Sequence, residues 1–407
     1  MERESILAER KDMKKKILGG VVLAFAFALT AALFVGCSST SEPTEAATDE
    51  ATEATEEATD EATAEATEEP AAEEAEAAAE QVDYAPLSIS YLNKAFYEDI
   101  IVANNRGDYA EAGPEIELQV VEGSGADSVA AMLSGAVDVA ATGQGPVADA
   151  IKEHGDDIVI LAGANCWTNG QLWVAGPNMT GDMQLVAYDK GVDNKADVKA
   201  SFESAAAAKG GPILVGVQQG ATTENVLKSW FKAMDISVND FGTEGEGTVT
   251  LVDMKANTTP TALSSGDIDV LAASKPYPDI ALRELEGSYL IGTDADINSY
   301  NVEFFITTKE TYAEKEDSIK AWLKADQATI DWMNANQDEA IKILAESMGQ
   351  TEEEAGATFE TANFKIDLSD QMVTTLAKAC EKKEVTITED ELKAQMPLYD
   401  WIAGGMQ

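Results

Sequence analysis

His154 is the only histidine in the chain, so any reaction that needs an imidazole would have to use it. It precedes Gly155 at the end of an apolar-periodic run, where a partly cationic side chain suits a helix C-terminus without any catalytic role. Nucleophilic triads need a histidine beside the serine or cysteine, so that chemistry is not expected. Cys37, Cys166 and Cys380 are too few and too scattered for a disulfide framework or a zinc knuckle. Cys166 and Cys380 read as separate thiols, although spacing leaves a bridge between them open. Asp294-Ala295-Asp296-Ile297-Asn298 begins like a calcium loop, but Ser299 replaces the turn glycine and Phe305 the closing glutamate. No phosphate loop of Walker type occurs. The residues therefore argue against an enzyme and imply no metal and no cofactor.

Binding chemistry is better supplied. Five short stretches carry hydrogen-bonding side chains, three of them with glycine: Leu92 to Phe96, Glu122 to Gly125, Thr142 to Gly145, Gln218 to Thr223, and Ser274 to Tyr277. Each leads into a helical pattern, and exposed N–H groups at helix starts attract anions without a basic protein. The candidate ligand contacts are Asn93, Lys94, Phe96, Tyr97, Ser124, Gln144, Gly145, Trp167, Gly220, Ala221, Thr222, Thr223, Lys275 and Tyr277. Lys94 and Lys275 could clamp a carboxylate or sulfonate from opposite sides. Trp167, Tyr97 and Tyr277 could stack on a ring or wall off an alkyl chain. Ordinary roles compete: threonines and Ser124 cap helices, and most lysines are solvated.

The elements that must position these loops alternate strand and helix. Leu87 to Tyr91, Ile116 to Val121, Val137 to Ala141 and Ile158 to Gly163 read as strands, with helices at Glu98 to Asn105, Asp127 to Leu133 and Val147 to His154. A second series follows: strands Ile213 to Val217, Val249 to Asp253 and Val270 to Ala273, and helices Thr222 to Met234, Pro260 to Leu263 and Pro278 to Leu285. Leu133-Ser134-Gly135-Ala136-Val137-Asp138 is echoed by Leu263-Ser264-Ser265-Gly266-Asp267-Ile268-Asp269, with Gly135 and Gly266, and Asp138 and Asp269, both 131 positions apart. Two similar α/β lobes are expected, with ligand at the carboxyl ends of their strands. Beyond them, Ile319, Trp322, Leu323, Ile330, Trp332 and Met333 fall on helical spacing and read as core. Further helices are expected at Gln337 to Met348, Ser369 to Cys380 and Thr388 to Trp401, the last opening with the capping box Thr388 to Glu391.

Composition divides the chain further. Of 407 residues, 74 are acidic and 28 basic, a net charge of -46, which leaves no basic face for nucleic acid. Residues 1–37 hold Lys14-Lys15-Lys16, an uncharged run from Ile17 to Val35, and Cys37. That order reads as a secretory signal, and the cysteine where a small-residue cleavage site should be resembles the lipobox of bacterial lipoproteins, with Cys37 lipidated. Phe34 stands where that motif usually has leucine. A transmembrane anchor is the competing reading of the run, weakened by Gly19, Gly20 and many alanines. Residues 38–82 carry 16 acidic and no basic residues in an Ala/Thr/Glu repeat, read as an extended spacer.

Asn93 with Ala103-Asn104-Asn105-Arg106-Gly107-Asp108-Tyr109, Gly123 with Ala131 to Asp138, Gly220-Ala221-Thr222-Thr223, and Leu263 to Asp269 with Pro276 together resemble the solute-binding proteins of the nitrate/sulfonate/taurine and thiamine-precursor ABC importers. The resemblance covers about Pro86 to Ile306. It implies a type II periplasmic-binding-protein fold: lobe one at 83–175, lobe two at 176–298, and a hinge return with C-terminal helices on lobe one at 299–407. It implies a monomer on the outer face of the cytoplasmic membrane that passes a small solute to a permease and its ATPase. Ala175 to Gly211 departs from the family, being longer and Ala-rich, and so does Lys275 before its proline.

A small anion such as an alkanesulfonate is the first expectation for the solute. A thiamine-precursor-type pyrimidine or other heterocycle is the alternative, with Glu98 and Asp99 as available carboxylates. Two other classes remain on this fold, a pyrimidine-synthesis enzyme and a scaffold that binds no solute.

Overall fold

The computed structural model describes residues 82–407; the expected signal, Cys37 and all but the last residue of the spacer lie outside them. The chain builds two six-stranded sheets. The first uses β1 (Leu87–Tyr91), β2 (Ile116–Val120), β3 (Val139–Gly143), β4 (Ile158–Trp167), β11 (Asn301–Thr308) and β12 (Ala362–Asp367), in the order β12-β4-β11-β3-β1-β2. The second uses β5 (Gln171–Ala175), β6 (Ile213–Val217), β7 (Val238–Asn239), β8 (Val249–Asp253), β9 (Val270–Ser274) and β10 (Tyr289–Thr293), in the order β10-β5-β9-β6-β8-β7. In each sheet the strands that open the lobe pair in parallel, and the strands that carry the chain across pair antiparallel. Central strands are mostly apolar, as suits helices on both faces, but carry a few buried polar residues such as Asn165 and Glu303.

Helices α1 (Glu98–Arg106), α2 (Gly125–Leu133) and α3 (Gln144–His154) complete the first lobe. Helices α4 (Lys195–Lys209), α5 (Thr222–Ala233), α6 (Thr259–Ser265) and α7 (Tyr277–Glu284) complete the second. The Ala-rich departure becomes α4, whose Val198, Phe202 and Ala205 face the second core. Then α8 (Lys309–Ala335), α9 (Gln337–Met348), α10 (Glu352–Phe359), α11 (Asp370–Lys382), α12 (Glu389–Ala394) and α13 (Tyr399–Ala403) return to lobe one. Trp322 is fully buried there, whereas Trp332 is half-buried under the Arg106 guanidinium, 3.4 Å from its ring centroid.

Three expectations need correction. The chain passes to the second sheet between Trp167 and Gln171, so Gln171–Ala175 pairs with β9 and belongs to lobe two. Thr388 to Trp401 is two short helices, because Pro397 has no N–H to continue the first. Strands β5, β10, β11 and β12 also escaped the strand pattern: they are short, or they interrupt apolar runs with buried polar residues.

The echoed aspartates perform one task twice. Asp138 Oδ2 accepts the Ser88 N–H of β1 at 2.8 Å, and Asp269 Oδ2 accepts the Leu214 N–H of β6 at 2.7 Å. Their own N–H groups donate back to Ser88 O and Leu214 O. A lysine completes each carboxylate, Lys315 from later in the chain for Asp138 and Lys209 from earlier in the chain for Asp269. The motif thus pins the first strand of each lobe to the third. Asp269→Ala would strand a buried strand N–H, at about 1–3 kcal/mol. Chemical denaturation should show that loss, and a much smaller one for Lys209→Ala, whose removal leaves the backbone bond intact.

Candidate functional site

The seam between the lobes is built from two chain crossings, 168–170 and 294–300, and from loops at strand ends. The loops meet closely. The Ala95 N–H donates to Lys275 O at 3.0 Å, and the Lys275 N–H donates to Gly170 O at 3.0 Å. The Thr222 hydroxyl lies so near Gly143 that any Cβ there would collide with it. At the rim, Gln350 donates to Asp279 at 2.9 Å and Arg283 pairs with Glu354 at 2.5 Å.

Phe96 and Trp167 form the apolar wall of the seam, with ring centroids 3.5 Å apart at 51°. Both are buried, and a Cβ at Gly170 would run into both rings. Phe96 holds φ at 103°, and its N–H donates to Glu98 Oε2 at 2.7 Å. Around this wall stands a set of buried polar groups that the sequence loops do not announce. Asn165 Nδ2 donates to Glu303 Oε2 at 2.7 Å and to Asp99 Oδ1 at 3.3 Å; the Tyr109 hydroxyl donates to Asp326 Oδ1 at 2.5 Å. Asp99, Glu303 and Asp326 are fully buried; Asp99 and Asp326 hydrogen-bond each other as a carboxyl pair, and Glu303 Oε1 has no partner. Trp167 Nε1, both amide atoms of Gln171, and Thr142 and Thr222 Oγ1 are likewise unpartnered.

Burial raises these carboxyls: Glu98 to about 8 and Asp99 to about 6. Glu303 is pushed well above the usual range by burial and by the nearby charges of Asp99, Asp326 and Glu98. At the crossings, Asp294 accepts from Asn301 Nδ2 at 2.6 Å and is raised by burial to about 7, against backbone N–H groups that pull it down.

The expected site residues divide. Phe96, Tyr97, Trp167, Thr222 and Lys275 lie at the seam. The Lys275 ammonium is committed to acids, 3.9 Å from Asp279 Oδ1 and close enough to Glu98 to lower its carboxyl. The Lys94 ammonium makes no hydrogen bond or ion pair among the described residues. It faces a different cavity of ≈ 200 Å³ lined by Glu122, Lys255 and Tyr277, and burial lowers it to about 8. The two lysines therefore do not form the expected clamp. Asn93 is exposed and donates to Ser347 O at 2.9 Å, which anchors α9. Gln144 fastens β11, donating to Tyr300 O and Asn301 Oδ1 and accepting the Val302 N–H at 3.0 Å. Ser124 caps α2 with Asp127. Thr223 meets Ser274 Oγ at 3.2 Å. Gly220 turns at φ 77° and donates to Glu224, Ala221 is the buried N-cap of α5, and Gly145 packs against Thr222 and Asn225.

Asn165, Gln171, Glu303 and Asp326 were missed. A signal existed for two of them. Glu303 interrupts Val302-Glu303-Phe304-Phe305-Ile306, and Asp326 falls on the Ile319, Trp322, Leu323, Ile330 stripe of α8. Buried acids on apolar faces are costly and mark function. The aborted calcium loop is a short turn in which Asp296 accepts from Thr293 N and Trp230 Nε1. No cluster able to hold a metal occurs among the described residues, and Cys166 and Cys380 are free and buried.

The sequence matches the NMT1-like family over residues 80–349. The chain belongs to that family. The periplasmic aliphatic sulphonate binding protein SsuA from Escherichia coli superposes with a TM-score of 0.56 at 15% identity, over 78% of this chain and 98% of that one. The periplasmic nitrate-binding protein NrtA from Synechocystis PCC 6803 gives 0.57 at 16%, over 77% and 85%. The desulfurization enzyme DSZB gives 0.52 at 12%, over 80% and 99%. The fold is thus that of periplasmic binding proteins, and it is one that also carries an enzyme. No curated protein sequence matches.

Raised acids make folding favour the protonated form, so the folded chain holds more protons than the unfolded one between about pH 4 and 8. Stability without solute should fall as pH rises through that window and level off above it. Melting temperatures from pH 5 to 8.5 should show this, and Glu98→Gln should flatten the fall by removing one of the raised acids.

Proposed function

We propose that this protein is the extracytoplasmic, lipid-anchored solute receptor of an ABC importer, and that its solute is a cationic or donor-rich heterocycle. The family and fold support the receptor, and the front of the sequence supports the anchor at Cys37. One observation carries the choice of solute: Glu98, Asp99 and Glu303 gather behind the Phe96–Trp167 wall, with Glu303 Oε1 unpartnered. Buried carboxylates gain most from a bound cation or N–H donors, and the aromatic wall suits a flat ring. Lobe closure on such a ring would bury it and offer both lobes to a permease with its ATPase. The protein acts as a monomer and catalyses nothing; the lone histidine is remote from the seam residues in sequence and element.

A second reading, the small anion, is favoured only by Lys94 and its free ammonium. A thermal-shift panel of aminopyrimidines, quaternary amines and alkanesulfonates separates the two. A ligand at 100 times its Kd adds about 2.7 kcal/mol. Stabilisation by a protonated heterocycle, lost by at least tenfold in affinity in Glu98→Gln and in Trp167→Ala, is expected. Stabilisation by a sulfonate that disappears in Lys94→Ala would overturn the solute class. For the anchor, Cys37→Ala should move the protein from the membrane fraction to the soluble fraction.

A further inference from the structure

A cavity of ≈ 690 Å³ shares no lining residue with the cavity at Lys94 and lies beside the second crossing, at Ile297 to Tyr300. It spans the lobes. Lys232 enters it from α5 of lobe two, and Lys378 and Lys382 enter from α11 of lobe one, one helical turn apart. Glu381 is the only acid in the lining. Lys232 and Lys378 make no hydrogen bond or ion pair among the described residues, and Lys382 has only the Ser229 hydroxyl of lobe two, at 3.0 Å. Burial and the charges of Lys232 and Lys378 both lower the Lys382 ammonium. In a chain of net charge -46, three cations facing one another across the seam without acid partners oppose the approach of the lobes. Nothing in the two lobe cores calls for them there.

We infer that this cavity binds an oxyanion, held between Lys232 of one lobe and Lys378 and Lys382 of the other. The N-terminal turns of α3 and α5 border the same space at Gly145 and Thr222, and the Thr222 hydroxyl is buried without a partner. An anion there replaces repulsion between the lobes with attraction to both, so it favours the closed arrangement. It reaches the cavity either as a free ion or as the phosphate or carboxylate of a larger solute. The cavity opens on the same seam, at the second crossing and Thr222, but includes neither the Phe96–Trp167 wall nor its acids in its lining, and it stands or falls without the heterocycle.

The test titrates inorganic phosphate into the full chain, with no organic solute present and ionic strength held constant with chloride. Phosphate also stabilises proteins by exclusion from their surfaces, so a control variant, Lys152→Gln/Lys342→Gln, removes two exposed lysines that do not line this cavity. Saturable phosphate binding by calorimetry, weakened at least tenfold in Lys232→Gln/Lys378→Gln and unchanged in the control, is expected for a free ion. If phosphate alone is weak but a heterocycle bearing a phosphate ester outbinds its unphosphorylated parent tenfold, and only while the lysines are present, the anion is part of a solute. Equal affinities in both variants, or no saturation and no preference for the ester, overturn the inference. Because the substituted lysines are exposed, a circular-dichroism melt of each variant should match the unaltered chain.

Discussion

A carboxylate taken out of water must be protonated, paired or bound, and the seam between the two lobes carries a run of them. Glu98, Asp99, Glu303 and Asp326 come from one lobe, Asp279 from the other, and Asp294 from a crossing segment. They are served by one lysine, Lys275, a few amides and the Tyr109 hydroxyl. That shortage of partners organises the rest of the molecule. It raises the acids, ties the closed arrangement to proton uptake, and leaves oxygens directed at the place where the lobes meet. Two lobes without such a seam would only be two small α/β domains side by side.

The lobes themselves rest on a repeated device. In each, an aspartate after a glycine turn holds a strand, β1 or β6, by its N–H and takes a lysine distant in sequence. This fixes the strand ends, and the strand ends fix the loops. Phe96 and Trp167 follow β1 and close β4, Thr222 follows β6, and Lys275 follows β9. The position of every seam group is thus set by strands whose register is locked a full strand length away. The Asp294–Asn301–Gln144 chain of hydrogen bonds does the same for the crossing, joining it to the start of α3.

Much of this was legible in sequence where local chemistry and global fold agree. The strands Ile213–Val217 and Val249–Asp253 and the helix Gln337–Met348 were bounded to the residue, because apolar runs met glycine or polar punctuation at both ends. The Asp138 and Asp269 echo revealed the duplication before any coordinates. The site was less legible. Loop composition drew attention to Asn93, Ser124 and Gln144, whose polar groups turn out to serve neighbouring backbone and side chains. It missed Asn165 and Glu303, which lie inside strands, because a polar residue in a strand reads as an interruption. The pairing of Lys275 with Asp279 is a local i,i+4 spacing, whereas its approach to Glu98 depends on the meeting of the lobes, which no local pattern encodes.

The central claim is that one solute is gripped by both lobes at once. Amide hydrogen exchange, with and without the heterocycle that most stabilises the protein, tests it most directly. Slower exchange in loops of both lobes together, at 92–97 and 167–171 and at 218–223 and 274–277, is the result the account requires. Protection confined to one lobe, or protection only around Lys94 and Lys255, would contradict it.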